Sequence, residues 1–238
     1  MKRNYNIDKF RGFTIISMVL FHLMYNINYY WPITWYDGTI LNRLWQLSIA
    51  GSFFLISGIT SNFLTPKKNI KRGIITSLIG FAITIVTYLL APSQFILWGV
   101  LNGLGLSMII TGMVQKYTKN ETIWGIIFFI LFIITYKIPR GNLYNIEFFR
   151  SLYNKNLFFL GFPSANFRST DYFPSIPWVF LFLAGFYLGK YLMDKDFYYN
   201  YGTDNWLSKV GRHSIEIYLA HQIILYPIVS LVYSIISK

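Results

Sequence analysis

Few side chains in this chain can do acid–base or nucleophilic chemistry, and they fall into stripes. Arg11 and His22 stand eleven positions apart. Eleven helical steps of about 100° return to within ~20° of the same face. The two therefore share one stripe, about 16 Å apart along the axis. Asn26, one turn further, continues the stripe and is placed to orient the imidazole. A second stripe runs through Ser214, Tyr218, His221 and Gln222, at helical offsets on an otherwise apolar segment. Asp171 opens the run Asp171-Tyr172-Phe173-Pro174-Ser175-Ile176-Pro177-Trp178. Its carboxylate suits either of two tasks: starting a helix, or holding and deprotonating a polar acceptor. Asn102 lies among Gly99, Gly103 and Gly105, which permit close approach of a helix or a ligand.

A histidine on an apolar helix often does no more than hydrogen-bond a neighbour. His22 with Arg11 on one face points past packing, because ionisable groups inside a span are costly and face a cavity or a partner. His221 is the second candidate. Metal chemistry is not expected. The chain has three histidines and no cysteine, no HExxH-like spacing, and few carboxylates in its apolar segments. His213 is expected to be solvated.

The elements that must position these residues are membrane helices. Hydrophobic residues make up 54% and charged residues 13% of the 238 positions, where soluble domains carry about 25% charged. Mean hydropathy is +0.43. These values exclude a disordered chain, a collagen and an ordinary cytosolic enzyme. Apolar runs near Phe10–Tyr30, Leu41–Leu64, Gly73–Leu90, Phe95–Val114, Thr122–Ile138, Ile176–Leu192 and Ser214–Ile236 each suit a ~30 Å hydrocarbon core. The expected fold is all-α, a polytopic bundle of about seven transmembrane helices, forming one domain over residues 1–238. The first run is too long for a cleavable leader. Pro227 is expected to kink the last helix.

The net charge of +12 could suggest nucleic acid. Its distribution argues for topology instead, and no nucleic-acid partner is expected. With the N-terminus inside, Lys2, Arg3, Lys9, Arg11, Lys67, Lys68, Lys71, Arg72, Lys116, Lys119, Lys190, Lys195, Lys209 and Arg212 all fall in cytoplasmic segments. The short outer connections around Pro32 and Pro92 carry no cation, which predicts N-inside and C-outside. Residues 139–175 then form one long outer loop. Leu143, Ile146, Phe149, Leu152, Tyr153 and Leu157 recur in it at roughly helical spacing. That pattern fits an interfacial amphipathic helix, an aromatic lid, or a surface for stacking sugar rings. Tyr29, Tyr30, Trp31 and Trp35 read as an interfacial aromatic belt.

Ile7-Asp8-Lys9-Phe10-Arg11-Gly12, followed by an apolar run to His22, resembles the opening of the heparan-α-glucosaminide N-acetyltransferase catalytic-domain family. Gly99-Val100-Leu101 is similar to it as well. So are Asp171-Tyr172-Phe173-Pro174 with Pro177-Trp178, and Gly211-Arg212-His213-Ser214 with Tyr218-Leu219-Ala220-His221-Gln222. These pieces run in order along nearly the whole chain. The arginine and histidine with ten residues between them also resemble the wider transmembrane acyltransferase group. Asn102 stands where many relatives have a histidine, and the lysosomal enzymes place their catalytic histidine differently from His22. With fewer spans and no soluble lumenal domain, heparan sulfate itself is not the expected acceptor.

The resemblance implies an acyltransferase that moves an acetyl or short acyl group from cytoplasmic acyl-CoA to a hydroxyl or amine, on a sugar or glycan at the outer face. The catalytic candidates are His22, then Asp171 and His221. Arg11 suits bidentate phosphate contact. Lys71, Arg72 and Arg212, with Lys67 and Lys68, supply a positive field. Asn102 or Tyr218 could stabilise an oxyanion. His22 would serve as general base or be acylated itself, and the two routes stay open. The expected partners are acyl-CoA, the acceptor and membrane lipid, with a homo-oligomer compatible. The competing reading is a small transporter or lipid-handling protein whose buried His and Asn line a path. The lack of an internal repeat weighs against it.

Overall fold

The computed structural model describes residues 3–117, 123–195 and 201–237. Lys2, Lys119 and Thr122, used above for topology, lie outside them. Nine α-helices occur among the described residues: α1 Tyr5–Tyr30, α2 Ile40–Ser61, α3 Pro66–Leu90, α4 Val100–Val114, α5 Ile123–Thr135, α6 Glu147–Asn154, α7 Ser175–Asp194, α8 Trp206–Arg212 and α9 Ser214–Ile236. The only β-pairing described is a single bridge between Leu157 and Phe162. Six helical segments are long and apolar enough to cross a membrane, and α4 is a shorter apolar helix. The protein is an all-α multi-pass membrane protein.

Helix starts differ from the apolar runs for identifiable reasons. Asn4 caps α1, its side chain accepting from Asn6 and Ile7 N–H, so the helix begins five residues before Phe10. Thr65 caps α3 and Pro66 takes the first turn. Lys67, Lys68, Lys71 and Arg72 therefore ride on the helix rather than in a loop. Conversely, α4 starts five residues later than the run Phe95–Val114. A 3₁₀ turn at Pro92–Gln94 and the left-handed backbone of Trp98, φ 63°, keep residues 95–99 out of the helix. Fifteen residues give α4 a rise of about 22 Å.

The chain forms two compact units. The first comprises residues 1–53 and 196–238, with α1, the beginning of α2, α8 and α9. Its core holds Ile15, Met18 and Ile49, with Trp45, Phe53, Val210, Ile217 and Tyr218 packed around them. Trp45 Nε1 donates to Ser17 Oγ at 2.8 Å, and Tyr36 Oη donates to the Phe21 carbonyl at 2.9 Å. Without these bonds the aromatic groups would be left as buried orphan donors.

The second unit comprises residues 54–195. Helices α4 and α7 are largely enclosed, with Phe182 and Phe186 of α7 fully buried. Helices α3 and α4 approach so closely that a Cβ on Gly73 would strike the backbone of Gly105 and Ile109. Lipid supplies no hydrophobic drive between helices, so small residues do this work through close packing. Asn69 spans three elements, donating to the Ser61 carbonyl at 2.9 Å and to Gln115 Oε1 at 2.8 Å.

The long loop between α5 and α7 is structured. Ile138, Tyr153 and Phe162 form a small core, with Leu143, Phe149, Leu152, Leu157 and Ile176 against it. The helical periodicity read from this loop thus belongs to α6 and the turns around it. Leu143, Phe149, Leu152, Tyr153 and Leu157 face the loop's own core, while Ile146 is exposed.

Candidate active site

The predicted stripe on α1 meets the predicted stripe on α9 within the first unit. The rings of His22 and His221 lie with centroids 4.7 Å apart and planes 53° apart. Gln222 Nε2 is 3.1 Å from His22 Nδ1. Asn26 Nδ2 donates to Gln222 Oε1 at 2.9 Å. A chain of donors thus runs from Asn26 to Gln222 to His22. It presents an N–H to Nδ1 of His22, so the neutral ring carries its proton on Nε2.

His221 has the opposite tautomer. Its Nδ1 hydrogen-bonds the Tyr218 carbonyl, an oxygen that only accepts. Nδ1 must therefore carry the hydrogen, and Nε2 keeps a lone pair. His221 is buried, and its Nε2 has no hydrogen-bond partner among the described residues. Buried polar atoms are nearly always paired, so a buried unpaired basic nitrogen marks a place where a reacting group fits. Phe21 contributes an aromatic edge to His22, with centroids 5.6 Å apart. Tyr218 stands 5.5 Å from the His221 ring.

Arg11 sits at the other end of the α1 stripe, where α1 crosses α8. A Cβ on Gly12 would strike the Leu207 carbonyl, and one on Gly211 would strike the Asp8 carbonyl. The two glycines that follow and precede the arginines of Phe10-Arg11-Gly12 and Gly211-Arg212 are thus what lets the helices touch. Gly211 and Arg212 end the short helix α8, and α9 begins at Ser214. Arg11 Nη1 lies 3.6 Å from Asp8 Oδ1. Arg3 Nε donates to Asp8 Oδ2 at 2.5 Å. Arg212 pairs with Asp204 at 2.9 Å, which with Ser208 holds the Asp204 carboxyl below its usual range. Asp8 is buried and escapes a reading based on cations alone. The signal was its position three residues before Arg11, on the same helical stripe.

The other expected residues sit in the second unit. Lys71 and Arg72 are exposed on the first turns of α3. Asn102 is buried on α4, its Nδ2 donating to the Ser77 carbonyl of α3 at 3.4 Å. Its Oδ1 has no partner among the described residues. Asp171 Oδ2 accepts from the Val100 N–H at 3.1 Å, at the first residue of α4. It therefore satisfies a free helix donor that Gly99 cannot cap. Burial pushes the Asp171 carboxyl up to about 6, against the lowering effect of that bond. His213 is exposed and 3.6 Å from Glu216. No cluster of three His, Cys, Asp or Glu exists among the described residues.

The family model described as heparan-alpha-glucosaminide N-acetyltransferase, catalytic, matches residues 3–223. No curated protein and no solved structure matches the chain.

Proposed function

The chain belongs to the heparan-alpha-glucosaminide N-acetyltransferase catalytic family, and on that premise we propose that it transfers an acetyl or short acyl group from acyl-CoA to a sugar or glycan. The donor is taken from the cytoplasmic side, and the acceptor is a hydroxyl or amine at the outer face. The observation that carries the reading is the His22–His221 pair: two imidazoles 4.7 Å apart, one offering a lone pair and the other an N–H.

Their tautomers suit the two halves of the reaction. His221 Nε2 accepts the proton of the acceptor hydroxyl or amine as that atom attacks the thioester carbonyl carbon. The carbonyl oxygen takes up negative charge, and His22 Nε2–H is the donor that stabilises it. The C–S bond then breaks, CoA leaves as thiolate, and the proton held by His221 neutralises the sulfur. Gln222 and Asn26 act as positioning residues, because they fix which nitrogen of His22 is protonated. This division gives His221 the basic role for which His22 is the first candidate by sequence.

Arg11 and Arg212 mark the donor end. A guanidinium is suited to bidentate contact with a phosphate. About 16 Å of helix separates Arg11 from His22, a span that suits the extended arm of CoA. Lys71, Arg72 and Asn102 are kept as weaker candidates for donor contacts. Asp171 is assigned first to capping α4, and second to catalysis.

Detergent-purified protein given labelled acetyl-CoA and a panel of amino sugars and polysaccharide fragments tests this. Acetyl transfer lost in both His221→Ala and His22→Ala, with CoA still bound, is the expected result. Full turnover in either variant overturns the assignment. Label trapped on a histidine in a rapid quench, before acceptor is added, would select transfer through an acyl-imidazole.

A further inference from the structure

The second unit contains a cleft of about 1050 Å³ between the long loop that follows α5 and the segment joining α3 to α4. We propose that it holds the headgroup of an anionic glycerophospholipid, whose chains run down the apolar helix faces beside it. The cleft lies where two lipid-facing helices end. Leu89 and Leu90, the last residues of α3, are 66% and 80% exposed, and Pro92 and Ser93 of the lining follow directly. Ile133 and Ile134, in the last turn of α5, are 58% and 66% exposed. The chain then turns at Ile138–Arg140 into the lining. Apolar side chains that face outward on a span are covered by acyl chains. Tyr88, exposed on α3, stands 5.9 Å from Phe95, which lines the cleft. The lipid-facing surface and the cleft are therefore continuous.

The lining sets the charge of the headgroup. It includes Arg140 and Arg168 and no Asp or Glu. Neither arginine makes an ion pair among the described residues. The surrounding residues 137–171 hold five cations against two carboxylates, and one of those, Asp171, is turned to the Val100 N–H. A phosphodiester offers two oxygens to a guanidinium fork. An ammonium on the headgroup would find no acid in the lining to meet it, which favours a phosphatidylglycerol-type lipid over a zwitterionic one. The hydroxyls of Ser93 and Ser164 suit its glycerol. Tyr144 and Tyr172 supply the amphipathic rings that settle at headgroup level. These walls are held in place. Tyr172 Oη donates to the Phe158 carbonyl at 2.6 Å. Arg168 is carried on a pinned strip: Ser169 Oγ accepts from the Leu97 N–H at 2.9 Å, and Thr170 N–H donates to the Phe95 carbonyl at 3.0 Å. Arg140 Cζ lies 5.2 Å from the centre of the Tyr136 ring, at the end of a 3₁₀ turn closed by Gly141 at φ 81°. A site ordered before its ligand arrives loses less entropy on binding.

The inference goes beyond acyl transfer, and its test uses neither acyl donor nor acceptor. Protein reconstituted in nanodiscs of equal phosphatidylglycerol and phosphatidylcholine is moved into non-ionic detergent, and the lipid it retains is counted by mass spectrometry. Retention of phosphatidylglycerol about fivefold or more over phosphatidylcholine is expected, with the preference falling as salt rises. Arg140→Ala and Arg168→Ala should each lower the preference by about twofold or more, and together remove it. Arg150→Ala should leave it unchanged, because that guanidinium is turned to the carbonyls of Tyr144 and Asn145. Where a variant is poorly folded, the lipid preference and salt dependence of the unmodified protein decide. Equal retention of the two lipids overturns the proposal. So does a preference that survives the double variant, or one that Arg150→Ala lowers as much as the others, which would mean a diffuse surface field. Soluble glycerophosphoglycerol that displaces the lipid at equal concentration would make this a site for a free phosphodiester and overturn it too. Failure here with intact acetyl transfer leaves the histidine pair standing, and the reverse result leaves the cleft.

Discussion

The amide nitrogen of Gln222 lies 3.1 Å from Nδ1 of His22, across 200 positions of sequence. One amide thereby decides which face of an imidazole is acidic and which is basic.

Gln222→Glu tests that decision. A carboxylate only accepts, so it would place the His22 hydrogen on Nδ1 and turn Nε2 into a base. If His22 must donate from Nε2, turnover should fall by about 10²-fold or more while CoA affinity holds. Turnover retained in Gln222→Glu but lost in Gln222→Leu would show that His22 is the base instead.

His221→Ala is expected to lower kcat by about 10²–10⁴-fold with little change in CoA binding. Truncation removes the proton acceptor and leaves the guanidinium end of α1 untouched. A larger change in the KM for acyl-CoA than in kcat would move His221 out of the chemistry.

Arg11→Ala should weaken CoA binding and reduce its dependence on salt. Asp8→Ala should act differently, because two arginines share that buried carboxylate. A loss of about 1–3 kcal/mol is expected, read as a lower midpoint in thermal unfolding. An unchanged midpoint would show that the triad adds nothing to the fold.

Gly12→Ala and Gly211→Ala each place a methyl against backbone. Backbone cannot rotate away as a side chain tip can, so about 1–3 kcal/mol of destabilisation is expected. Normal stability in both would mean that α1 and α8 shift apart freely, and would remove the glycines from the account of the donor end.

Asp171 carries a pH signature. Its carboxyl, pushed up to about 6, titrates near 3.9 in an unfolded chain. Between these values the native state binds more protons. The stability this group contributes is therefore full below about pH 4 and is lost as pH rises through about 6. Asp171→Asn keeps an acceptor for the Val100 N–H and removes the titration. Its unfolding midpoint should vary less between pH 4 and 6 than that of the unmodified protein. Identical slopes would show that Asp171 is not held in this environment.

Much of this was legible from residue types because lipid narrows the choices. Apolar runs must be helices, and a polar stripe on such a helix needs a partner. Hence His22, Asn26, His221 and Gln222 stand out before any coordinates. What joins them does not: Asn26 meets Gln222 across 196 positions, and no local rule links the two. Helix starts are hidden for another reason. Asn4 and Thr65 cap through side-chain oxygens lying among polar residues, upstream of where the apolar signal rises. Trp98 shows the opposite failure, an apolar residue whose left-handed backbone delays α4. Asp171 satisfies α4 from 71 positions away, so the acid beside a proline-rich helix start serves a different helix from the one it precedes.

The unit that holds the histidine pair is discontinuous, built from residues 1–53 and 196–238. Its assembly is therefore a matter of timing. At about 5–20 residues per second, His22 leaves the ribosome on the order of 10 to 40 s before His221. Throughout that interval α1 holds His22 and Asn26 without Gln222, and the middle of the chain is free to fold first. A nascent chain stopped anywhere in residues 54–195 carries half of the polar network and none of its closure. The polar network therefore closes only as α9 enters, after residues 54–195 have been made.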